Sequence, residues 1–183
     1  MSSEQSITLG SASDPAPHSK CSIRRATPDD LPGALELVKE YFRAVDVWVR
    51  DTESEFSDYL VGDDRGVWLA FACEEPVGCI VLHPLAYSLR SGEIKRLYVK
   101  PAYRRQGLAE GLLQAVEEFA AKTAGYEWLY LDSKDDLRNA IRFYERHGYE
   151  PCDRYNANPQ ATIFMRKALA GARGLEGSRF RPS

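Results

Sequence analysis

The chain predicts an α/β (α+β) domain, a mixed sheet with helices on its faces. Apolar strand-like runs come grouped in the first half and strand-helix-strand units follow in the second. The 183 residues, 44 per cent of them hydrophobic, are enough for one domain with its own core and too few for two large ones. Residues 21–169 hold all of these elements. Residues 1–20 are rich in Ser, Ala and Pro with little to bury, and residues 170–183 read the same way with added arginine, so both are expected as disordered tails.

A short strand is expected over Ile23 to Ala26. Thr27 stands as an N-cap, Pro28 at the first helical position and Asp30 in the first turn, so a helix runs through Leu31, Leu35, Val38 and Phe42. A weaker helix covers Glu53 to Leu60. Val67 to Cys73 and Val77 to His83 flank Glu74-Glu75-Pro76 as a hairpin, and a strand from Glu93 to Val99 follows. The next helix starts near Gly107 and carries Leu108, Leu112, Val116 and Phe119 at helical spacing. Trp128 to Leu131 returns as a strand. Ser133 with Asp136 resembles a capping box ahead of the stripe Leu137, Ala140, Ile141 and Tyr144, which stops at Gly148. Thr162 to Met165 is the last strand.

Composition narrows the function. Lys and Arg number 24 against 27 Asp and Glu, so a net charge of −3 provides no whole-molecule attraction to nucleic acid or to an anionic membrane. Any anion site must be local. No apolar run reaches the roughly 18 residues of a membrane span, and the first residues resemble neither a signal nor a transit peptide, so a cytoplasmic protein is expected. Cys21, Cys73, Cys79 and Cys152 lack metal-ligand spacing and read as thiols in a reducing compartment; no metal is expected.

The chemistry concentrates in EIKRLYVKPAYRRQGLA, residues 93–109. A strand ends at Val99, and the backbone amides from Arg104 through Arg105, Gln106, Gly107 and Leu108 to Ala109 converge where a helix begins. The first turn of a helix has N–H groups with no internal partner, which suits an anion. Gly107 permits close backbone approach, Ala109 is small, and the two arginines add charge-assisted bonds to phosphate. A solvated basic turn is the other reading of the same residues.

Arg104-x-x-Gly107-x-Ala109 after a strand resembles the (Q/R)-x-x-G-x-(G/A) pyrophosphate loop of the GNAT superfamily of acyl-CoA-dependent N-acyltransferases, in its bacterial-type small-molecule branch. Phe143-Tyr144-Glu145-Arg146-His147-Gly148-Tyr149 is similar to that family's Tyr-x-x-x-Gly-(Phe/Tyr) element, and Glu93-Ile94-Lys95-Arg96-Leu97-Tyr98-Val99 to its fourth strand. The likeness spans about Ile23 to Lys167. Where many members carry an Asn seven residues before the tyrosine, this chain has Leu137, with Asn139 two residues on.

The resemblance implies a mostly antiparallel sheet of six to seven strands with about four helices, split at a bulged fourth strand. It implies transfer of an acetyl group from acetyl-CoA to the primary amine of a small molecule in a ternary complex. A protein or peptide N-acetyltransferase and a non-catalytic CoA-binding module are the alternatives, and a homodimer is left open. An alkyl ammonium with a pKa of about 10 must lose a proton before it attacks. Glu93, directly or through water, is the expected base, against the reading of a solvated charge at a strand start. Tyr144 is the expected acid for the leaving thiol, against a plain core tyrosine. Backbone groups of Leu97, Tyr98 and Val99 are expected at the cofactor. Arg96 is expected at an acceptor carboxylate with Lys95, and Tyr155 and Asn158 in a loop that resembles the Tyr-x-x-Asn-Pro loop of small-molecule acetyltransferases, or in a turn without ligand. Trp48, Arg50 and Tyr87 lie in segments placed near the same wall.

Overall fold

The computed structural model describes residues 21–48, 52–86, 88 and 90–169. The two tails expected at residues 1–20 and 170–183 lie outside them, as do Arg50 and Tyr87. Strand β1 is Cys21–Arg25, followed by a 3₁₀ turn at Pro28–Asp30, helices α1 (Leu31–Val45) and α2 (Glu53–Asp58), and the hairpin β2 (Gly66–Ala72) and β3 (Glu75–Pro84). Then come β4 (Ser91–Val99), a 3₁₀ turn at Pro101–Tyr103, α3 (Leu108–Lys122), β5 (Trp128–Ser133), α4 (Arg138–Arg146), the two-residue β6 (Glu150–Pro151) and β7 (Ile163–Ala168). No helix among the described residues is long and apolar enough to cross a membrane.

The seven strands lie in the order β1-β2-β3-β4-β5-β7-β6, antiparallel throughout except for the parallel pair β4 and β5. Both faces are covered. Strand alternation sends Trp68, Ala70, Ile80 and Leu82 to the face under α3, where they meet Leu112, Leu113 and Val116. Val67, Leu69, Phe71 and Val81 point the other way, against Leu37, Val38 and Phe42 of α1 and Phe56 of α2.

Local chemistry explains the ends. The Thr27 backbone N–H and hydroxyl both donate to Asp30 Oδ2, at 2.8 and 3.0 Å, and Arg24 grips the same carboxylate with two bonds of 2.7 and 2.8 Å. The Thr27 start is therefore as expected, although its first turn is 3₁₀. The hairpin turn sits at Cys73 and Glu74, with Cys73 at φ 56°, one residue earlier than the Glu-Pro signal suggested.

The capping box expected at Ser133 does not form. Strand β5 runs through Ser133, which pairs with Ile163, and α4 begins only at Arg138 with Leu137 before it. The ladder to β7 claims the serine backbone first. Strand β6, only two residues long and half proline, had no period by which the sequence could announce it.

Candidate active site

The site begins with a fault in β4. Cys79 pairs with Tyr98 and Val81 with Lys95, so β4 spends one residue more than β3 across this step, and Arg96 takes the left-handed φ of 57° there. Such a bulge shifts the alternation by one. Ile94 packs toward α3, while Tyr98, four residues on, packs toward α1. The Arg96 carbonyl freed from the ladder accepts from the Cys79 thiol at 3.4 Å.

On its other side β4 pairs with β5 only from Ser91 to Glu93, opposite Trp128 to Tyr130. Beyond that the strands part, and a cavity of about 380 Å³ opens between them. Ile94, Lys95, Arg96 and Leu97 form one wall, Asp132, Ser133 and Lys134 the facing one. Helix α4 adds Leu137, Ala140 and Tyr144, α1 adds Tyr41, Phe42 and Val45, and Asn158 and Gln160 come from the loop before β7.

Next to the splay stands the loop into α3. Gly107 has φ 76° and Arg105 φ 63°, and left-handed residues in a short turn make the kind of concavity of N–H groups that holds anions. The first helical bond of α3 runs from Gly111 N–H to Gly107 O at 2.9 Å, so the amides of Leu108 to Glu110 head the helix ahead of any helical acceptor. A Cβ built on Gly107 would meet nothing within 4 Å. That open ground over an amide-rich turn fits the pyrophosphate of a coenzyme A thioester. Arg104 braces the turn: its Nε donates to Val99 O at 2.9 Å and its guanidinium lies 5.8 Å from the Tyr98 ring centre. The Val99 carbonyl is thereby used, Tyr98 is buried with its hydroxyl 3.4 Å from Glu40, and Leu97 is the member of that trio on the cavity wall.

Glu93 lies at the point of divergence, 3% exposed. Its Oε1 accepts from the Tyr155 hydroxyl at 2.9 Å and from Asn156 Nδ2 at 3.0 Å, while His83 Nε2 and Lys95 Nζ stand 2.9 and 3.2 Å from Oε2. Burial pushes the carboxyl up, but the His83 hydrogen bond, the Lys95 charge and the Tyr155 hydroxyl outweigh it and hold the group down at about 2. Burial and the neighbouring Glu93 charge push the Tyr155 hydroxyl far above its ordinary range. Asn156 Nδ2 also donates to Asp132 Oδ2 at 2.6 Å, and Asn158 Nδ2 reaches the same oxygen at 3.2 Å. One amide thus ties together carboxylates from the two diverging strands.

Tyr144 is buried on α4 and faces the cavity, its ring edge-on to Tyr149 at 5.4 Å. Burial raises its hydroxyl well above the ordinary range, which keeps it protonated. Tyr41 on α1 shares the cavity, pushed up to about 12 by the same cause. Arg96 lies 5.4 Å from the Phe42 ring centre, and Lys134 Nζ donates to Val45 O, the last residue of α1, at 3.1 Å. Asn158 lines the cavity and Tyr155 stands behind it on Glu93. The Trp48 side chain is 67% exposed, and its backbone N–H bonds Gln160 Oε1 at 3.0 Å.

The sequence reading overlooked Tyr41, His83, Asp132 and Asn156. Tyr41 falls just off the apolar stripe of α1 and Asp132 looks like a residue beyond the end of its strand. Only the splay brings them together.

The fold is that of an acyltransferase, with a polar cleft at the splay beside an amide-rich turn. The model of the acetyltransferase (GNAT) family matches residues 31–149, and the chain belongs to that family. It is, by that membership, an acetyl-transferring enzyme of the N-acetyltransferase type, in a fold whose cosubstrate is acetyl-CoA. It is 30% identical over 150 residues to an uncharacterized N-acetyltransferase of Schizosaccharomyces pombe, across 78% of this chain and 91% of that one. An amino-acid acetyltransferase of Pseudomonas syringae is 30% identical over 133 residues, 70% of this chain but 27% of the relative. The PaiA N-acetyltransferase of Thermoplasma acidophilum, solved with coenzyme A, superposes with a TM-score of 0.68 at 20% identity over 82% of this chain and 99% of its own.

Proposed function

We propose that the protein transfers the acetyl group of acetyl-CoA to the primary amine of a small molecule that also carries a carboxylate, an amino acid or related amine, by direct attack with both bound. The observation that carries this reading is the cavity of about 380 Å³ at the splay, a size suited to a small ligand, with Lys95 and Arg96 on its wall. Acetyl-CoA supplies the activated thioester. The amides from Arg104 to Ala109 hold its pyrophosphate, and Leu97 at the bulge offers a backbone N–H to the carbonyl oxygen as charge gathers there.

The side chains divide the remaining work. Arg96 meets the acceptor carboxylate, with Lys95 adding positive charge beside it, and Asn158 borders the amine end. Tyr144, kept protonated by burial, hands its proton to the departing sulfur. Glu93 is 3% exposed, accepts from Tyr155 and Asn156 on Oε1 and has the His83 and Lys95 nitrogens beside Oε2, so it orients these groups instead of taking the proton itself.

The test is release of free thiol from acetyl-CoA against a panel of amines, amino acids, amino acid amides and short peptides. Free amino acids should turn over best, and their amides, lacking the carboxylate, at least tenfold less well. Preference for peptides would transfer the reading to protein acetylation. Tight acetyl-CoA binding without thiol release would make the chain a binding module.

A further inference from the structure

We propose that Asp132, not Glu93, takes the proton from the attacking amine; the inference rests on the acetyl-transfer reading of this cavity. Asp132 stands on β5 beyond the last residue that pairs with β4, on the cavity wall. Both of its recorded bonds fall on Oδ2, from Asn156 Nδ2 at 2.6 Å and Asn158 Nδ2 at 3.2 Å. Oδ1 keeps its lone pairs. Glu93 differs in its place, because it lies behind the wall, 3% exposed, with two hydrogen bonds on Oε1 and the His83 and Lys95 nitrogens 2.9 and 3.2 Å from Oε2.

Asn156 couples the two groups. Its amide has two hydrogens, one used on Glu93 Oε1 and one on Asp132 Oδ2. Asp132 Oδ2 is thereby held at a fixed place in the mouth of the splay. Asn156 is a positioning residue.

The proton balance closes with these groups. The ammonium gives one proton to Asp132 Oδ1, and the freed nitrogen lone pair forms the C–N bond to the acetyl carbon as the C–S bond breaks. Sulfur leaves as the thiol with the Tyr144 proton. The second proton of the nitrogen restores Tyr144, and Asp132 releases its own to solvent. Amide, thiol and one proton are the products.

The decisive variant is Asp132→Asn, which keeps the shape and an acceptor for Asn156. Against the best amine of the panel, kcat should fall about 100-fold or more, with KM for acetyl-CoA and the acetyl-CoA thermal shift unchanged. The variant's residual rate should climb with pH as free amine accumulates, without the acid limb of the wild-type profile. Other titratable or charged groups face the same cavity, namely Tyr41 from α1, Glu55 from α2, Lys95 and Arg96 from β4, Lys134 after β5 and Tyr144 from α4. Lys95→Met and Glu55→Gln therefore serve as controls, which should leave the acid limb in place. Asp132→Glu, which keeps a carboxylate, should retain at least tenfold more activity than Asp132→Asn. A kcat within threefold of wild type, or a large loss with the wild-type pH profile intact, overturns the assignment. So does an Asp132→Glu protein no better than Asp132→Asn. If the wild-type protein acetylates no amine at all, the transfer reading falls and takes the inference with it, an outcome told apart by the inactive wild type.

Discussion

At Glu93 burial opposes ionisation and a ring of donors favours it, and the donors prevail. A carboxyl held at about 2 in the folded protein, against an ordinary value near 4.5, stabilises the fold fully above the ordinary value. That contribution, of order 3 kcal/mol, is lost as pH falls from about 5 toward 2. Urea midpoints measured down this range should drop for the wild type and stay flatter for Glu93→Gln, which starts lower at neutral pH; parallel curves would mean that other groups govern the acid limb. At Tyr144 the question is a hydroxyl, since Tyr144→Phe keeps the ring against Tyr149. We expect kcat to fall roughly tenfold or more with KM for acetyl-CoA little changed. Wild-type kinetics in a stable Tyr144→Phe protein would return the residue to the core.

At the scale of elements, two backbone irregularities make the site. The β4 bulge reverses which face each side chain meets, and the turn into α3 carries two left-handed residues in three. At Gly107 the two demands separate cleanly, because a side chain meets no neighbour but must adopt φ 76°. Gly107→Ala should cost about 1–2 kcal/mol from the left-handed dihedral alone. Gly107→Glu should cost a similar amount yet abolish acetyl-CoA binding, through bulk and negative charge on the ground proposed for the pyrophosphate. Calorimetry that finds unchanged acetyl-CoA affinity in a folded Gly107→Glu protein would remove the loop from the site.

Over the whole molecule, the proposed seat of acetyl-CoA bridges elements that otherwise diverge. At 100 times its dissociation constant a ligand adds about 2.7 kcal/mol, which for a domain of this size raises Tm by about 5–10 °C. Thermal unfolding with acetyl-CoA should show that shift and desulfo-CoA should retain most of it, since the proposal seats the anionic half at the α3 turn. A shift no larger with acetyl-CoA than with free adenosine would place the binding energy elsewhere.

Sequence alone carried much of what depends on neighbours along the chain, although not the start of α4, where the ladder to β7 prevailed over the local cap at Ser133. Thr27-Pro28-Asp29-Asp30 contains its own helix start, the stripe of α3 its own buried face, and Gly107 its own left-handed turn, because caps, 3.6-residue periods and left-handed glycines act within a few residues. The order of strands and helices likewise announced a mixed sheet. What only tertiary structure decided is who meets whom across the splay. Glu93 and Asp132 lie 39 positions apart in number, and nothing local tells that one amide from Asn156 spans them or that Glu93 is buried behind the wall while Asp132 stands on it. A carboxylate's availability is set by the groups that surround it in space, and those came from β3, β4 and the loop before β7 only once β4 and β5 had parted.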